Sequence, residues 1–345
     1  MHLDALVRFG RDLATAAGVP QREAEALADT LAWCDLRGHQ TQGFYLLPVL
    51  LKRLRLGLLC SPSDMRWRRT APSTGTLDAR HGFGQIAGRL AMDHAIRLAR
   101  ETGAGIVAVK NSNHFGAAGY YAARAAEQGF IGFSYSNSMP KVAPHGGRHR
   151  LLGTNPFAFS CPRRDASPVI IDLATGASAG SLVSHARRMG QPLPDGIALD
   201  AAGNPTNDPN DVDGDGCLLP MAGAKGYCLG LLVEILSGVL TGAAVAPNVG
   251  SMFRDLHRQT RCGHLLVAID ISRFLPAEEF VDRLEGLLTA LGTVPPREGF
   301  DAVRIPGDAR LRCAEQQVRD GIPLPDYLTK ALTDTACELG VATPW

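Results

Sequence analysis

No long run of lysine and arginine occurs in the 345-residue chain, and its formal net charge is only +1. Nucleic acid and anionic membrane surfaces select for clustered positive charge, so neither is expected as a partner. Eight cysteines are present, but no two are spaced Cys-x-x-Cys and most sit in apolar segments. Reduced, buried thiols in a cytoplasmic protein are therefore predicted. Ten histidines are dispersed without a Cys/His quartet, so no metal is expected. Met1-His2-Leu3-Asp4 lacks the basic stretch and apolar run of a secretory leader. The one membrane-like segment, Leu229 to Val245, is interrupted by Glu234, Ser237, Gly238, Thr241 and Gly242, and reads as a buried helix.

What is present is enough apolar residue, 45% of the chain, for one large core or two closely packed ones. From Leu3 to about Leu59 apolar residues recur every three to four positions, which predicts a helical lead-in. Strand-like and helix-like stretches then alternate: Gly75 to Ala79, Ile86 to Arg100, Ile106 to Val109, Ala118 to Glu127, Ile131 to Tyr135 and Val169 to Asp172. This predicts an α/β core over residues 75–305, with helical spacing returning in the C-terminal segment. Asp200 to Gly216, rich in Asn, Asp, Gly and Pro, reads as an exposed loop. Within it, Asp211-Val212-Asp213-Gly214-Asp215-Gly216 begins like a calcium loop but has Ala222 where a bidentate Glu is required.

Chemistry concentrates between Asn111 and Phe157. A strand-like run ending at Lys110 hands over to Asn111-Ser112-Asn113-His114-Phe115-Gly116 and then to a helix. Helix starts favour anions, and a histidine there, flanked by small and amide residues, suits proton or hydrogen-bond donation. The other glycine turn, Gly82-Phe83-Gly84-Gln85-Ile86-Ala87-Gly88, has the wrong spacing for a Rossmann fingerprint, and the following strand ends in Lys110 instead of an acid.

Ser112-Asn113-His114-Phe115-Gly116, Val142-Ala143-Pro144-His145-Gly146-Gly147 and Gly153-Thr154-Asn155-Pro156 resemble the malate/L-lactate dehydrogenase family that lacks a Rossmann fold. Asp35-Leu36-Arg37-Gly38, Ile171-Asp172-Leu173-Ala174-Thr175, Lys225-Gly226-Tyr227, Leu236-Ser237-Gly238 and Pro306-Gly307-Asp308 extend the resemblance along essentially the whole chain. It implies an α/β (α+β) fold: a non-Rossmann NAD(P)-binding α/β domain, 75–305, and a mainly helical domain, 1–74 joined by 306–345. It also implies a homodimer. Phe115, Gly116, Ser138, Asp172, Leu173, Ala174, Lys225, Gly226, Gly307 and Asp308 would bind the cofactor. Thr154, His39 and Leu46 would face a small-molecule substrate, and His114, with Thr41 and Gln42, would carry catalysis. The cofactor is NADPH or NADH. Lys110, Arg187, Arg188 and Arg304 are candidates for a 2′-phosphate, which favours NADPH.

The departures concern the substrate side. Where the family has Asp-Ser-His-Gly, this chain has Gln40-Thr41-Gln42-Gly43, and a carboxylate-holding arginine is replaced by Leu46. A family Gly-Lys pair is replaced by Ser181-Leu182. An amide cannot titrate near pH 7, and an iminium needs no added proton, so reduction of a cyclic imine or modified 2-oxo acid is the first expectation. The alternatives are a 2-hydroxy-acid dehydrogenase using His114 for the proton, and a cofactor-binding protein without activity. Loss of a bidentate arginine removes about 1.5–3 kcal/mol of charge-assisted bonding and points to a larger, less acidic or masked substrate.

Overall fold

The computed structural model describes residues 1–164 and 166–345, apart from the side chain of Ser181. Three helices lead: α1 (Leu3–Ala16), α2 (Gln21–Leu36) and α3 (Leu47–Arg55). The strands β1 (Arg66–Ala71) and β2 (Thr74–Asp78) form a hairpin, α4 (Gly84–Thr102) crosses back, and β3 (Ala104–Ser112) runs parallel to β2. Next come α5 (Ala118–Ala126), β4 (Phe130–Ser136), β5 (Phe157–Cys161), β6 (Val169–Leu173) and α6 (Gly180–Met189). A small excursion holds β7 (Ala198–Leu199), α7 (Pro209–Asp213) and β8 (Cys217–Leu218). Helix α8 (Ala224–Glu234) runs into a π-helical turn, Ile235–Val239. The chain closes with β9 (Cys262–Asp270), α9 (Ala277–Gly292), α10 (Asp308–Asp320) and α11 (Asp326–Leu339).

Seven strands form one sheet in the order β1-β2-β3-β9-β4-β5-β6. The β2–β3 pair is parallel, and the remaining neighbours are antiparallel. Strand β9 sits at the centre between β3 and β4, so its Leu265-Leu266-Val267-Ala268 run is covered on both faces. Such a run has no period-2 alternation to mark it in the sequence. Helices α4 and α5 cover one face with small residues, among them Ala87, Ala91, Ala95, Ala118 and Ala122, which let them approach the strands closely.

A second core joins the chain ends. Leu6, Phe9 and Leu13 of α1, Leu27 and Leu31 of α2, and Leu47 and Leu50 pack with Ile322 and with Leu328, Leu332 and Ala336 of α11. The sheet starts earlier than residue 75, because β1 pairs with β2 from Arg66 onward. Arg66-Trp67-Arg68-Arg69-Thr70 is an exposed edge strand, and with no buried face it carries no apolar signature.

Three other expectations are corrected. Helix α8 and the turn that follows it are not fully buried: Leu231, Leu232, Ile235, Val239 and Leu240 are 40–61% exposed, while Val233 and Glu234 face inward. No helix of the described residues is long and apolar enough to cross a membrane. The Asp200–Gly216 stretch contains α7, with Pro209 and Val212 buried. Of the eight free thiols, Cys34, Cys161, Cys217 and Cys262 are buried, but Cys60, Cys228 and Cys337 are exposed.

Candidate active site

His114 stands in the turn between β3 and α5, and that turn is tied from several sides. Asn113 donates through Nδ2 to the carbonyls of His81 and Gly82, and its Oδ1 accepts from Thr260 Oγ1 at 2.8 Å. A β-carbon at Gly84 would collide with the carbonyl oxygens of Asn113 and His114. The glycine turn before α4 therefore serves close backbone packing under the histidine, and the space a phosphate would need there is filled. Phe115 is buried and stacks on His264, with ring centroids 4.3 Å apart and planes 5° from parallel. His264 lies between Ser136 Oγ and Ser112 Oγ, each 2.8 Å from a ring nitrogen, and burial pushes its pKa down to about 3.

The Gly116 N–H donates to His114 Nδ1 at 3.1 Å, so the neutral imidazole carries its proton on Nε2. Burial pushes the His114 pKa down to about 4. At neutral pH it is an uncharged hydrogen-bond donor. The helix start beside it is not open to an outside anion, because Asp172 accepts from the Gly119 N–H at 2.9 Å and fills that position. Burial raises the Asp172 pKa to about 6, against the Gly119 bond and the Arg310 charge.

Ser138 and Thr154 are held by a buried amide–carboxylate network. Asn155, at φ +33°, accepts from the Ser138 N–H at 3.1 Å and donates to Gly230 O and to Glu234 Oε2 at 2.7 Å. Glu234 also accepts from Asn137 Nδ2 and the Ala246 N–H. The Thr175 N–H and hydroxyl both bond to the Thr154 carbonyl. Every donor named here has an acceptor, so the Ser138 and Thr154 hydroxyls, 3.5 Å apart, stand on a fixed base.

His114, Ser138 and Thr154 line a cavity of about 310 Å³ with Thr41, Gln42 and Leu46. The Thr41–Leu46 wall is less tightly tied. Asp35 Oδ2 accepts from the Phe44 N–H at 2.8 Å, and Gly43 has no side chain to collide with that carboxylate. Asp35 Oδ1 and Gln42 Oε1 are both buried without a partner among the described residues. Burial raises the Asp35 pKa to about 7, against the Phe44 bond. Across the cavity stand Lys141, Arg187, Arg188 and Arg254 with a single carboxylate, Asp213.

The remaining expected site residues separate. Asp172, Leu173, Gly307 and Asp308 line a second cavity of about 470 Å³, and His39 lines it too, apart from Thr41 and Gln42. His39 is pushed down to about 4 by burial and by Arg310 and Arg37. Lys225 and Gly226 open α8, and with Phe115, Gly116 and Ala174 they line neither cavity. Arg304 lines the second cavity, and Arg187 and Arg188 line the first. Ser181, placed where the family has glycine, has its side chain outside the described structure. His145 and His149 are four apart but fall in an irregular segment, not on one helix face.

Sequence reasoning missed Lys141, Tyr45, Asp213 and Arg254 as cavity residues, and took Arg187 and Arg188 only as phosphate candidates. A charged residue between Pro140 and Val142, inside a motif otherwise apolar or small, was the one signal available for Lys141.

Residues 1–333 match the family model described as malate/L-lactate dehydrogenase. The chain belongs to that family. It is 37% identical to malate dehydrogenase of Pyrococcus abyssi, covering 98% of this chain and 94% of that protein. It is 36% identical to (2R)-3-sulfolactate dehydrogenase (NADP(+)) of Chromohalobacter salexigens, covering 92% of each. The solved structure of delta1-piperideine-2-carboxylate reductase from Pseudomonas syringae superposes with a TM-score of 0.88 at 31% identity, covering 97% of this chain and 99% of that one. This family member is accordingly an oxidoreductase with the mixed α/β fold of its structural relatives.

Proposed function

We propose that this family member is an NAD(P)-dependent dehydrogenase that interconverts a 2-hydroxy acid and its 2-oxo acid. One observation carries the reading: a neutral imidazole donor, the Ser138 and Thr154 hydroxyls and an unpaired amide oxygen share one cavity with four cations. The relatives named for malate and sulfolactate point to the same substrate class. A cofactor fits the residues present, since buried Gln42 Oε1 lacks the donor that a nicotinamide carboxamide offers. When bound, the nicotinamide supplies or accepts the hydride.

Ser138 and Gln42 would hold the nicotinamide end, with the Phe115–Gly116 turn fixed behind His114, and Asp172, Leu173, Gly307 and Asp308 would hold the nucleotide end. His114 Nε2–H donates to the substrate oxygen and stabilises charge developing there, with Thr41 and Thr154 in the same cavity, and in the reducing direction the proton that completes the alcohol comes from solvent. Arg304 beside the second cavity favours NADPH over NADH. Lys225 and Gly226 belong to α8, whose exposed apolar face is the proposed contact with a second copy in a cytoplasmic homodimer.

A second reading, reduction of a cyclic imine, is favoured by His114 itself. An imidazole whose pKa lies near 4 is a poor proton source at pH 7, and an iminium needs none. Turnover of a 2-oxo acid and its cyclic imine analogue, measured side by side with NADH and NADPH, tests both. Robust oxidation of NAD(P)H by the imine alone would overturn the hydroxy-acid reading, and no turnover across either class would favour a protein that binds cofactor without activity.

A further inference from the structure

Of the four cations in the His114 cavity, three are already engaged. Arg187 and Arg254 both pair with Asp213. Arg188 lies over the rings of Tyr45 and Tyr327, 5.0 and 4.3 Å from their centroids, and donates to Ser184 O and Tyr45 Oη. Lys141 forms no ion pair, ring contact or side-chain hydrogen bond among the described residues, although it lines the same cavity as His114, Ser138 and Thr154. Its stem crosses Gly180, with Nζ only 2.7 Å from where a β-carbon would stand. A larger residue at 180 would have to displace the ammonium, so Gly180 gives it room.

A partly buried ammonium without a bonded counter-charge is costly and is retained where an anion completes it. Burial lowers the Lys141 pKa, with Asp213 opposing from a distance. The facing wall offers no charge at Leu46, which is buried and apolar. We propose that Lys141 is the residue that recognises the anionic group of the substrate, a carboxylate or sulfonate, from the sheet-side wall. This rests on the reading of the cavity as a substrate site. It replaces the expectation of a less acidic or masked substrate drawn from Leu46 alone.

The test is isothermal titration of the full-length protein, saturated with NADH, with oxamate and with its neutral counterpart oxamide. Lys141→Ala and Lys141→Met are expected to weaken oxamate at least tenfold while leaving oxamide and the Kd values of NADH and NADPH within threefold. Lys141→Arg should recover most of the oxamate affinity, which lost packing alone would not explain. A smaller loss for oxamate, an equal loss for oxamide, or wild-type protein without oxamate affinity overturns the proposal. So does a loss confined to the cofactors, which places the anion on a nucleotide phosphate. Oxamate is not turned over, so the titration reads Lys141 independently of the turnover panel that decides the reaction.

Discussion

The two walls of the His114 cavity are built on opposite rules. On the sheet side, Asn137, Asn155 and Glu234 form a closed hydrogen-bond network, and His264 is held by two serines. On the helix side, between Asp35 and Leu46, two buried oxygens have no partner. A buried polar atom left unpaired costs roughly 1–3 kcal/mol. The closed wall fixes atoms that must not move, and on the open one Gln42 Oε1, unlike Asp35, lines the cavity and keeps hydrogen-bonding capacity for whatever enters it.

The largest expected effect tests whether the closed wall serves chemistry. His114→Ala removes the hydrogen bond to the developing charge and should lower kcat for 2-oxo acid reduction by roughly 10²–10³-fold. Steady-state kinetics check this, and unchanged turnover would remove the central assignment. With wild type, the low His114 pKa predicts no activity limb from this group between pH 6 and 8.

Asn155→Ala should cost roughly 2–4 kcal/mol of stability, because it strips one bond from a buried carboxylate and leaves the Ser138 N–H and the Gly230 carbonyl without their side-chain partner. Urea unfolding measures it, and a loss below about 0.5 kcal/mol would show that the network is not closed.

Gln42→Ala should separate function from stability on the open wall. Removing an unpaired buried oxygen should leave unfolding within about 1 kcal/mol of wild type, while KM for cofactor or substrate rises about tenfold. A large stability loss with unchanged KM would make Gln42 structural.

The last effect is electrostatic. The folded pKa of Asp35, about 7, lies above its ordinary 3.8, so the folded state holds its proton more tightly than the unfolded chain. This contribution is full below about pH 4 and is lost as pH rises through 7. Asp35→Asn should therefore gain stability relative to wild type between pH 5 and pH 8. Parallel urea curves at the two pH values check the sign.

Much of the fold was legible because the periodicities are strong. The Leu3–Leu59 helices and the Ile106, Ile131 and Val169 strands all appear near their expected places. The edge strand β1 and the central strand β9 were not picked out: one has no buried face and the other no exposed one. His114, Ser138, Thr154, Thr41, Gln42 and Leu46 do meet in one cavity. His39, adjacent to Gln40 in the chain, faces the other cavity, because the backbone turns through a 3-10 segment at Gln40–Gln42.

The sequence by itself determined the family, the helical and α/β segments, and the placement of a histidine at a strand-to-helix turn. These follow from local periodicity and from contiguous motifs. Only the tertiary structure decided that His114 is neutral with its proton on Nε2, that the glycine turn packs under the histidine, and that Lys141, Arg188 and Asp213 share its cavity. Protonation depends on burial, and burial depends on what folds across from a residue. Positions 114, 141, 188 and 213 have no fixed spacing in the chain, and the turn after β3, the β4–β5 segment, α6 and α7 bring them together.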